Sequence, residues 1–147
     1  MHLEGTVDIA APRQRVWDFL TDPQAVARCA PGLESIELIE AGRRFKAVAS
    51  LGLGSIKTRF TVNVEWVEMS PPERAVARAH GTASGSAADV MAEMLLTEPA
   101  PGSTGLQWTA EVTITGTIAS LASRMMGGVT QKLSGQFFEC VRKSVEE

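Results

Sequence analysis

The stretch IASLASRMMGGVTQKLSGQFFECVRKSVEE, residues 118–147, decides the fold of this chain. Its apolar residues recur at intervals of three and four positions, which is the period of an amphipathic helix. They are Ile118, Leu121, Ala122, Met125, Val129, Leu133, Phe137, Val141 and Val145. The pattern predicts a helix of about thirty residues with Thr117 as its N-cap, which is long for a globular domain. One apolar stripe of this length needs a large apolar surface to cover.

The sequence before this helix supplies that surface, because apolar and polar residues alternate there with the period of β-strands. The alternation is clearest from Ile56 to Val67, where Phe60, Val62 and Trp66 share one face. The predicted strands span residues 3–9, 34–40, 44–51, 56–67, 74–82, 87–97 and 106–114. Short Gly and Pro turns separate consecutive strands, which predicts an antiparallel meander of about seven strands.

Two short helices are predicted between the first and second strands. Pro12 suits the first position of a helix over residues 12–20. Asp22 is a good N-cap for a second helix that begins at Pro23 and ends before Pro31. The expected fold is therefore α+β, with a curved sheet wrapped around the long C-terminal helix and two short helices closing one end.

Length and composition exclude several classes of protein. The chain has 147 residues and a net charge of −3, which predicts one domain over residues 1–147 and argues against nucleic-acid binding. Cys29 and Cys140 have no metal-type spacing, so we expect two free thiols and no metal site. The N-terminus lacks the basic and apolar regions of a signal peptide, so a cytoplasmic location is expected.

The predicted inner faces of the strands carry unusually small side chains. The alanines concerned are Ala47, Ala49, Ala75, Ala77, Ala79, Ala88, Ala92 and Ala110. Gly127 and Gly128 interrupt the long helix, where glycine costs about 1 kcal/mol relative to alanine, so a packing reason is expected for them. This missing volume has two interpretations: an apolar cavity between helix and sheet, or a close approach of the two layers.

Residues suited to catalysis are scarce. The two histidines are His2 and His80, and no nucleophile, phosphate-loop or zinc motif occurs. His80 shares a predicted outer face with Arg78, and nothing near it in sequence orients it as a base. We therefore predict no catalytic residue. Arg124, in the apolar part of the long helix, either meets the polar head of a ligand or extends to water.

A series of short segments resembles the CoxG family of carbon monoxide dehydrogenase subunits, within the START and birch-pollen-allergen superfamily of helix-grip proteins. The segments are Leu3-Glu4-Gly5, Val16-Trp17, Leu20-Thr21-Asp22-Pro23, Cys29-Ala30-Pro31-Gly32, Gly52-Leu53-Gly54, Ile56-Lys57, Gly105-Leu106, Ile118-Ala119, Ser123-Arg124-Met125 and Phe137-Phe138. Their order and spacing, rather than any one of them, carry the resemblance, which covers nearly the whole chain.

The resemblance implies a non-catalytic accessory role beside a molybdenum-containing carbon monoxide dehydrogenase or a related hydroxylase. It implies a quinone or another lipid in the pocket, no covalently bound cofactor, and peripheral contact with the inner face of the cytoplasmic membrane. Longer family members reach the membrane through a C-terminal tail. This sequence ends right after the helix, which puts membrane anchoring, though not ligand binding, in question. Two alternatives remain: a cyclase or hydrolase of the same superfamily, and a structural module that holds a partner enzyme.

A pocket in such a fold is expected between the sheet and the first half of the long helix. We predict the mouth at the turn over residues 52–54, the loop over residues 81–85 and the start of the helix. The predicted walls are Leu51, Phe60, Val62, Trp108, Met125 and Val129, with Arg124 at the rim. Because these walls are apolar, an elongated apolar molecule is the expected ligand.

Overall fold

The computed structural model describes residues 1–53 and 56–146, with every side chain except those of Leu51, Leu53, Ile56, Leu121 and Met126. Seven strands and three helices follow one another within these residues. They are β1 (His2–Ile9), α1 (Arg13–Leu20), α2 (Pro23–Ala27), β2 (Leu33–Glu40), β3 (Arg44–Leu53), β4 (Ile56–Ser70), β5 (Arg74–Ala83), β6 (Ser86–Ala100), β7 (Ser103–Gly116) and α3 (Ala119–Val145).

The strands form one antiparallel sheet in the order β1-β7-β6-β5-β4-β3-β2. Strands β2 to β7 are a continuous meander, and β1 pairs with β7 at the far edge. The long helix α3 lies across one face, with its Cα atoms nearest to those of β1, β3, β7 and α1. The predicted α+β helix-grip fold is therefore confirmed.

The register of the strands places the small apolar residues on the face that α3 covers. Ala77 pairs with Trp66 on one side and with Ala92 on the other, and Ala92 pairs with Ala110. Directly opposed residues share a face in an antiparallel sheet. The inner face thus carries a cross-strand row of three alanines, running from β5 to β7 and ending beside Trp66, and this row is called the alanine row below.

The start of α3 differs from the prediction. The helix begins at Ala119, with Ile118 as an N-cap that makes no side-chain capping bond, so the prediction of Thr117 as the cap was wrong. Ser86 of β6 instead holds the residue before the helix, because its hydroxyl accepts a hydrogen bond from the Ile118 N–H at 3.3 Å. Thr117 instead hydrogen-bonds its own hydroxyl to that of Ser86 at 3.1 Å. A side chain of β6 therefore fixes the position at which α3 begins.

The loop predicted over residues 81–85 is also shorter than expected. Gly81 lies inside β5, buried, and pairs with Val62 and Ala88. Gly85 makes the turn, with φ of +73°, and its carbonyl accepts a hydrogen bond from Thr117 N–H at 3.0 Å. Position 116 requires glycine, since the Cβ of any other residue there would lie 2.1 Å from the Gly85 oxygen.

The hydrophobic core is concentrated at one end of the molecule. Its cluster of buried residues combines α1, the last turns of α3 and the strands beside them. The members are Ile9, Ala11, Val16, Trp17, Leu20, Cys29, Ala75, Leu96, Leu106, Val141 and Val145. In the middle of α3, Val129 and Leu133 are only half-buried. The helix is therefore anchored most deeply near its C-terminus.

Cys29 and Cys140 are not free thiols, which corrects the sequence expectation. They form a disulfide with a Cα–Cα distance of 5.4 Å, joining the segment after α2 to the last turns of α3. The two residues are 111 positions apart in the chain, so their pairing depends on the tertiary fold. The bond ties α3 to the end of the molecule where the core is concentrated.

Breaking this disulfide is expected to lower stability without changing the fold. A cross-link that closes a loop of this length restricts the unfolded chain and typically contributes about 2–4 kcal/mol. Cys29→Ser and Cys140→Ser should each lower the free energy of unfolding in urea by a similar amount. Dithiothreitol should lower the stability of the wild type and leave both variants unchanged. Equal stability of oxidised and reduced wild-type protein would contradict the cross-link.

Candidate functional site

An apolar cavity of about 200 Å³ lies between the sheet and the second half of α3. The sheet contributes Trp66, Ala75, Ala77, Ala92, Met94 and Trp108. The helices contribute Leu20, Val26, Phe137 and Phe138. The rings of Phe137 and Phe138 meet edge to face with centroids 5.0 Å apart and form one wall.

The alanine row explains why the cavity exists. Ala77 and Ala92 lie beside Trp66 and Met94, and both remain half-buried although α3 crosses the sheet above them. Larger side chains at these two positions would fill the space under the phenylalanine pair. Of the two interpretations of the missing volume, the structure thus shows a cavity at Ala77 and Ala92.

The charged group nearest the cavity is directed away from it. Among the described residues along the cavity, Glu93 is the one that ionises. Its carboxylate accepts a hydrogen bond from Arg74 Nη2 at 2.6 Å on the opposite face of the sheet, where Glu68 also binds Arg74 at 2.7 Å. The cavity interior is therefore lined by apolar side chains.

The predicted wall residues lie in three different places. Trp108 lines the cavity. Phe60 and Val62 are on the same face of the sheet as Trp66 but nearer the start of β4, where both lie within 4 Å of the position a Cβ on Gly81 would take. Val129 lines a separate groove of about 250 Å³ between α3 and the Gly32 and Gly52 backbone.

The remaining predicted residues are at the first turns of α3 or outside the described part. Met125 is half-buried, and Arg124 is exposed to solvent. The side chain of Leu51 lies outside the described residues, as does Gly54 of the predicted mouth. Of the predicted residues whose side chains are described, the structure thus brings Trp108 into the cavity, and Phe60, Val62, Arg124, Met125 and Val129 do not line it.

Gly127 and Gly128 do not serve the close packing that the sequence suggested. Both are exposed, and an added Cβ at either would meet no described atom within 4 Å. The cavity beside α3 is therefore produced by the small side chains of the strands and not by these glycines.

Sequence analysis missed most of the cavity wall, although part of the signal was present. Trp66 ends the alternating run of β4, and Phe137 belongs to the apolar stripe of α3. Phe138 is not part of that stripe, although it follows Phe137 directly in the sequence. Leu20 and Val26 reach the cavity only through the packing of α1 and α2, which no local pattern encodes.

A second and more polar depression lies beside the cavity. It is a groove of about 450 Å³ between β1 and the second half of α3, and is called the β1–α3 groove below. Trp108 and Phe138 line both spaces. Gly5 makes room for this arrangement, because a Cβ there would lie 2.7–2.9 Å from the Trp108 indole.

Several titratable side chains form pairs on the outer face and edges of the sheet. His80 Nδ1 lies 2.6 Å from Asp89 Oδ1 on the neighbouring strand, an orienting partner that the sequence did not reveal. His2 contacts Glu111 and Glu4 at the β1 edge. Hydrogen bonds from Arg59 and Ser50 lower the pKa of Glu34 to about 2. In the described ranges no three His, Cys, Asp or Glu residues are grouped to hold a metal ion.

No helix in residues 1–53 and 56–146 has the length and apolar character needed to cross a membrane.

The solved structures similar to this chain define its class. A conserved protein from Geobacillus kaustophilus is 25% identical with a TM-score of 0.90, over 98% of this chain and 94% of that one. The Zhui aromatase/cyclase from Streptomyces sp. R1128 is 20% identical with a TM-score of 0.75, over 98% and 92%. A START superfamily protein from Mycobacterium smegmatis is 13% identical with a TM-score of 0.67, over 94% and 97%. The fold is that of the START-like helix-grip class.

The family follows from the sequence as a whole. Residues 5–146 match the model of CoxG, a family described as a subunit of carbon monoxide dehydrogenase. The chain therefore belongs to the CoxG family, as its short segments indicated. No curated protein matches the sequence. The family and the START-like fold together suggest a ligand-binding accessory role.

Proposed function

We propose that this protein is a non-catalytic accessory protein that holds an apolar ligand, a quinone or another lipid, in the cavity under α3. Its partner would be a molybdenum-containing carbon monoxide dehydrogenase or a related hydroxylase. The family description supports the association with carbon monoxide dehydrogenase. On this proposal the protein acts in the cytoplasm and meets the ligand at the inner face of the cytoplasmic membrane.

The observation that carries the proposal is the apolar lining of the cavity. Trp66, Trp108, Phe137 and Phe138 surround a space of about 200 Å³. A ligand segment that buries about 200 Å² of apolar surface gains roughly 5 kcal/mol before the costs of association. A polar metabolite would lose its hydrogen bonds to water there without replacing them. The space therefore favours an aromatic ring or a stretch of hydrocarbon chain.

The enzyme alternative rests on the likeness to an aromatase/cyclase. Acid–base catalysis needs a titratable group within hydrogen-bonding reach of the reacting atoms. His80 and His2 instead contact carboxylates on the outer face and at the sheet edge.

A purely structural role beside a partner enzyme is compatible with ligand binding, because the partner would contact the outer face of the sheet and leave the cavity on the inner face free.

The direct test is to identify what the protein binds. Mass spectrometry of an organic extract of the purified protein should reveal a quinone or another lipid. The neutral fluorophore N-phenyl-1-naphthylamine should bind with increased fluorescence, and decylubiquinone should displace it. His80→Ala should bind both as the wild type does. An extract without apolar molecules, together with no response of the fluorophore, would count against the proposal.

A further inference from the structure

The β1–α3 groove and the apolar cavity meet at two side chains that line both of them. The indole of Trp108 and the ring of Phe138 each line both spaces. The indole lies against β1 at Gly5, which has no side chain to displace it. The two spaces are thus adjacent, and a ligand that lies across both would contact this pair of aromatic side chains.

The groove has the opposite chemistry to the cavity. Along α3, Thr130, Gln131 and Ser134 offer hydroxyl and amide groups. Arg142 lies at the same side, where its Nε and Nη2 donate to the Asp8 carbonyl at 3.0 and 2.8 Å and join α3 to β1. Hydrogen-bonding groups therefore line the groove, and apolar side chains line the cavity.

The charge of the groove selects among polar groups. Of the charged residues along the groove, Glu139 and Arg142 extend from α3, whereas Glu4 and Asp8 alternate with the inward residues of β1 and carry their carboxylates on the outer face of the sheet. The Arg142 guanidinium already donates to the Asp8 carbonyl, and the Glu139 carboxylate repels an anion, although solvent screens part of that repulsion. An anionic group is therefore disfavoured there, whereas an uncharged group can hydrogen-bond to the hydroxyls and amides.

We propose that the β1–α3 groove binds the uncharged polar head of an amphipathic ligand whose apolar part lies in the cavity, with Trp108 and Phe138 contacting the junction. This inference rests on the proposed function and adds the position and chemistry of the head group. It places that head on the β1 side of the second half of α3, away from Arg124 and the helix start.

The test uses two serines of α3 that make the same local hydrogen bond and differ in position and burial. Ser134 is half-buried, lines the groove, and donates its hydroxyl to the Gln131 carbonyl. Ser123 is exposed and donates in the same way to the Ser120 carbonyl. Serine and tryptophan have similar helix propensities, so Ser134→Trp and Ser123→Trp should fold alike. Should tryptophan disturb the fold, Ser134→Leu obstructs the groove with a stronger helix former.

The probes are 1-dodecanol and dodecanoate, which share a chain length and differ in head-group charge. Each is titrated against bound N-phenyl-1-naphthylamine at neutral pH and low salt. We expect wild type to bind dodecanol at least about fivefold more tightly than dodecanoate, and Ser134→Trp to weaken dodecanol binding by about tenfold or more. Ser123→Trp should stay within about twofold of wild type.

The outcomes separate this inference from the proposed function. If wild type binds the fluorophore and dodecanol but Ser134→Trp and Ser134→Leu bind them equally well, the groove is not the head-group site and the cavity proposal stands. Equal losses in Ser134→Trp and Ser123→Trp, or dodecanoate binding as tight as dodecanol, would also overturn the groove. If wild type binds neither probe, the proposed function fails and the groove inference fails with it.

Discussion

Replacing Val141 by aspartate is expected to prevent folding altogether. Val141 is 0% exposed and belongs to the cluster in which α3 meets Val16, Trp17 and Leu106. An unpaired carboxylate in such a site costs several kcal/mol even after it is protonated, and the cavity left by valine adds to the loss. Domains of this size have a total stability of about 5–15 kcal/mol. Circular dichroism and the dispersion of the amide proton spectrum should both report an unfolded chain.

Val129→Asp is the matched control, because it makes the same change in the same helix. Val129 is half-buried beside the groove that it shares with Lys132 and Gln136, so a carboxylate there keeps contact with water. We expect it to fold and to lose about 1–2 kcal/mol, within the common range for single substitutions. The sequence placed Val129 and Val141 in the same apolar stripe and did not distinguish their burial. Equal unfolding by both variants would mean that the core extends evenly along α3.

The sheet could be predicted from sequence almost residue by residue, and β4 shows why. A half-buried strand must alternate, so Phe60, Val62, Val64 and Trp66 determine both the strand and its inner face. The turns are equally local, since Gly42, Gly85 and Gly102 each adopt positive φ between strands. Where the prediction failed, the contact was not local: Thr117 was expected to cap the helix, but the helix start is held by Ser86, whose hydroxyl binds the N–H of Ile118, thirty-two residues away in sequence.

The candidate site could be predicted only in part. The alternation assigned Ala77, Ala92 and Trp108 to the inner face, as the strand register confirms. Helical periodicity shows which face of α3 is apolar, but it does not show how far each turn of α3 lies from the sheet. The separation of helix and sheet depends on the packing of α1 and α2 and on the Cys29–Cys140 disulfide. These place the cavity under Phe137 and Phe138.

Ala77→Phe is expected to abolish ligand binding while the protein stays folded. Ala77 is half-buried in the alanine row and lines the cavity, so a phenyl ring can enter a space that is already present. The ring would displace about 100 Å² of ligand contact, worth about 2.5 kcal/mol, or nearly a hundredfold in Kd. Titration with N-phenyl-1-naphthylamine measures the loss, and thermal unfolding followed by circular dichroism confirms that the fold is retained.

Ala79→Phe is the control, since Ala79 is the next inward residue of β5 and pairs with Val64 and Val90 away from the cavity lining. The same ring there lies under the first half of α3, where the sequence placed the pocket. Retained binding by Ala79→Phe, with loss in Ala77→Phe, assigns the ligand to the cavity under Phe137 and Phe138. The reverse result would assign the ligand to the region of Phe60 and Val62.

A different result would contradict the cavity itself. If Ala77→Phe lowers the free energy of unfolding by the roughly 1–3 kcal/mol typical of an overfilled core, and wild type binds no probe, the alanine row only lets α3 and the sheet approach each other.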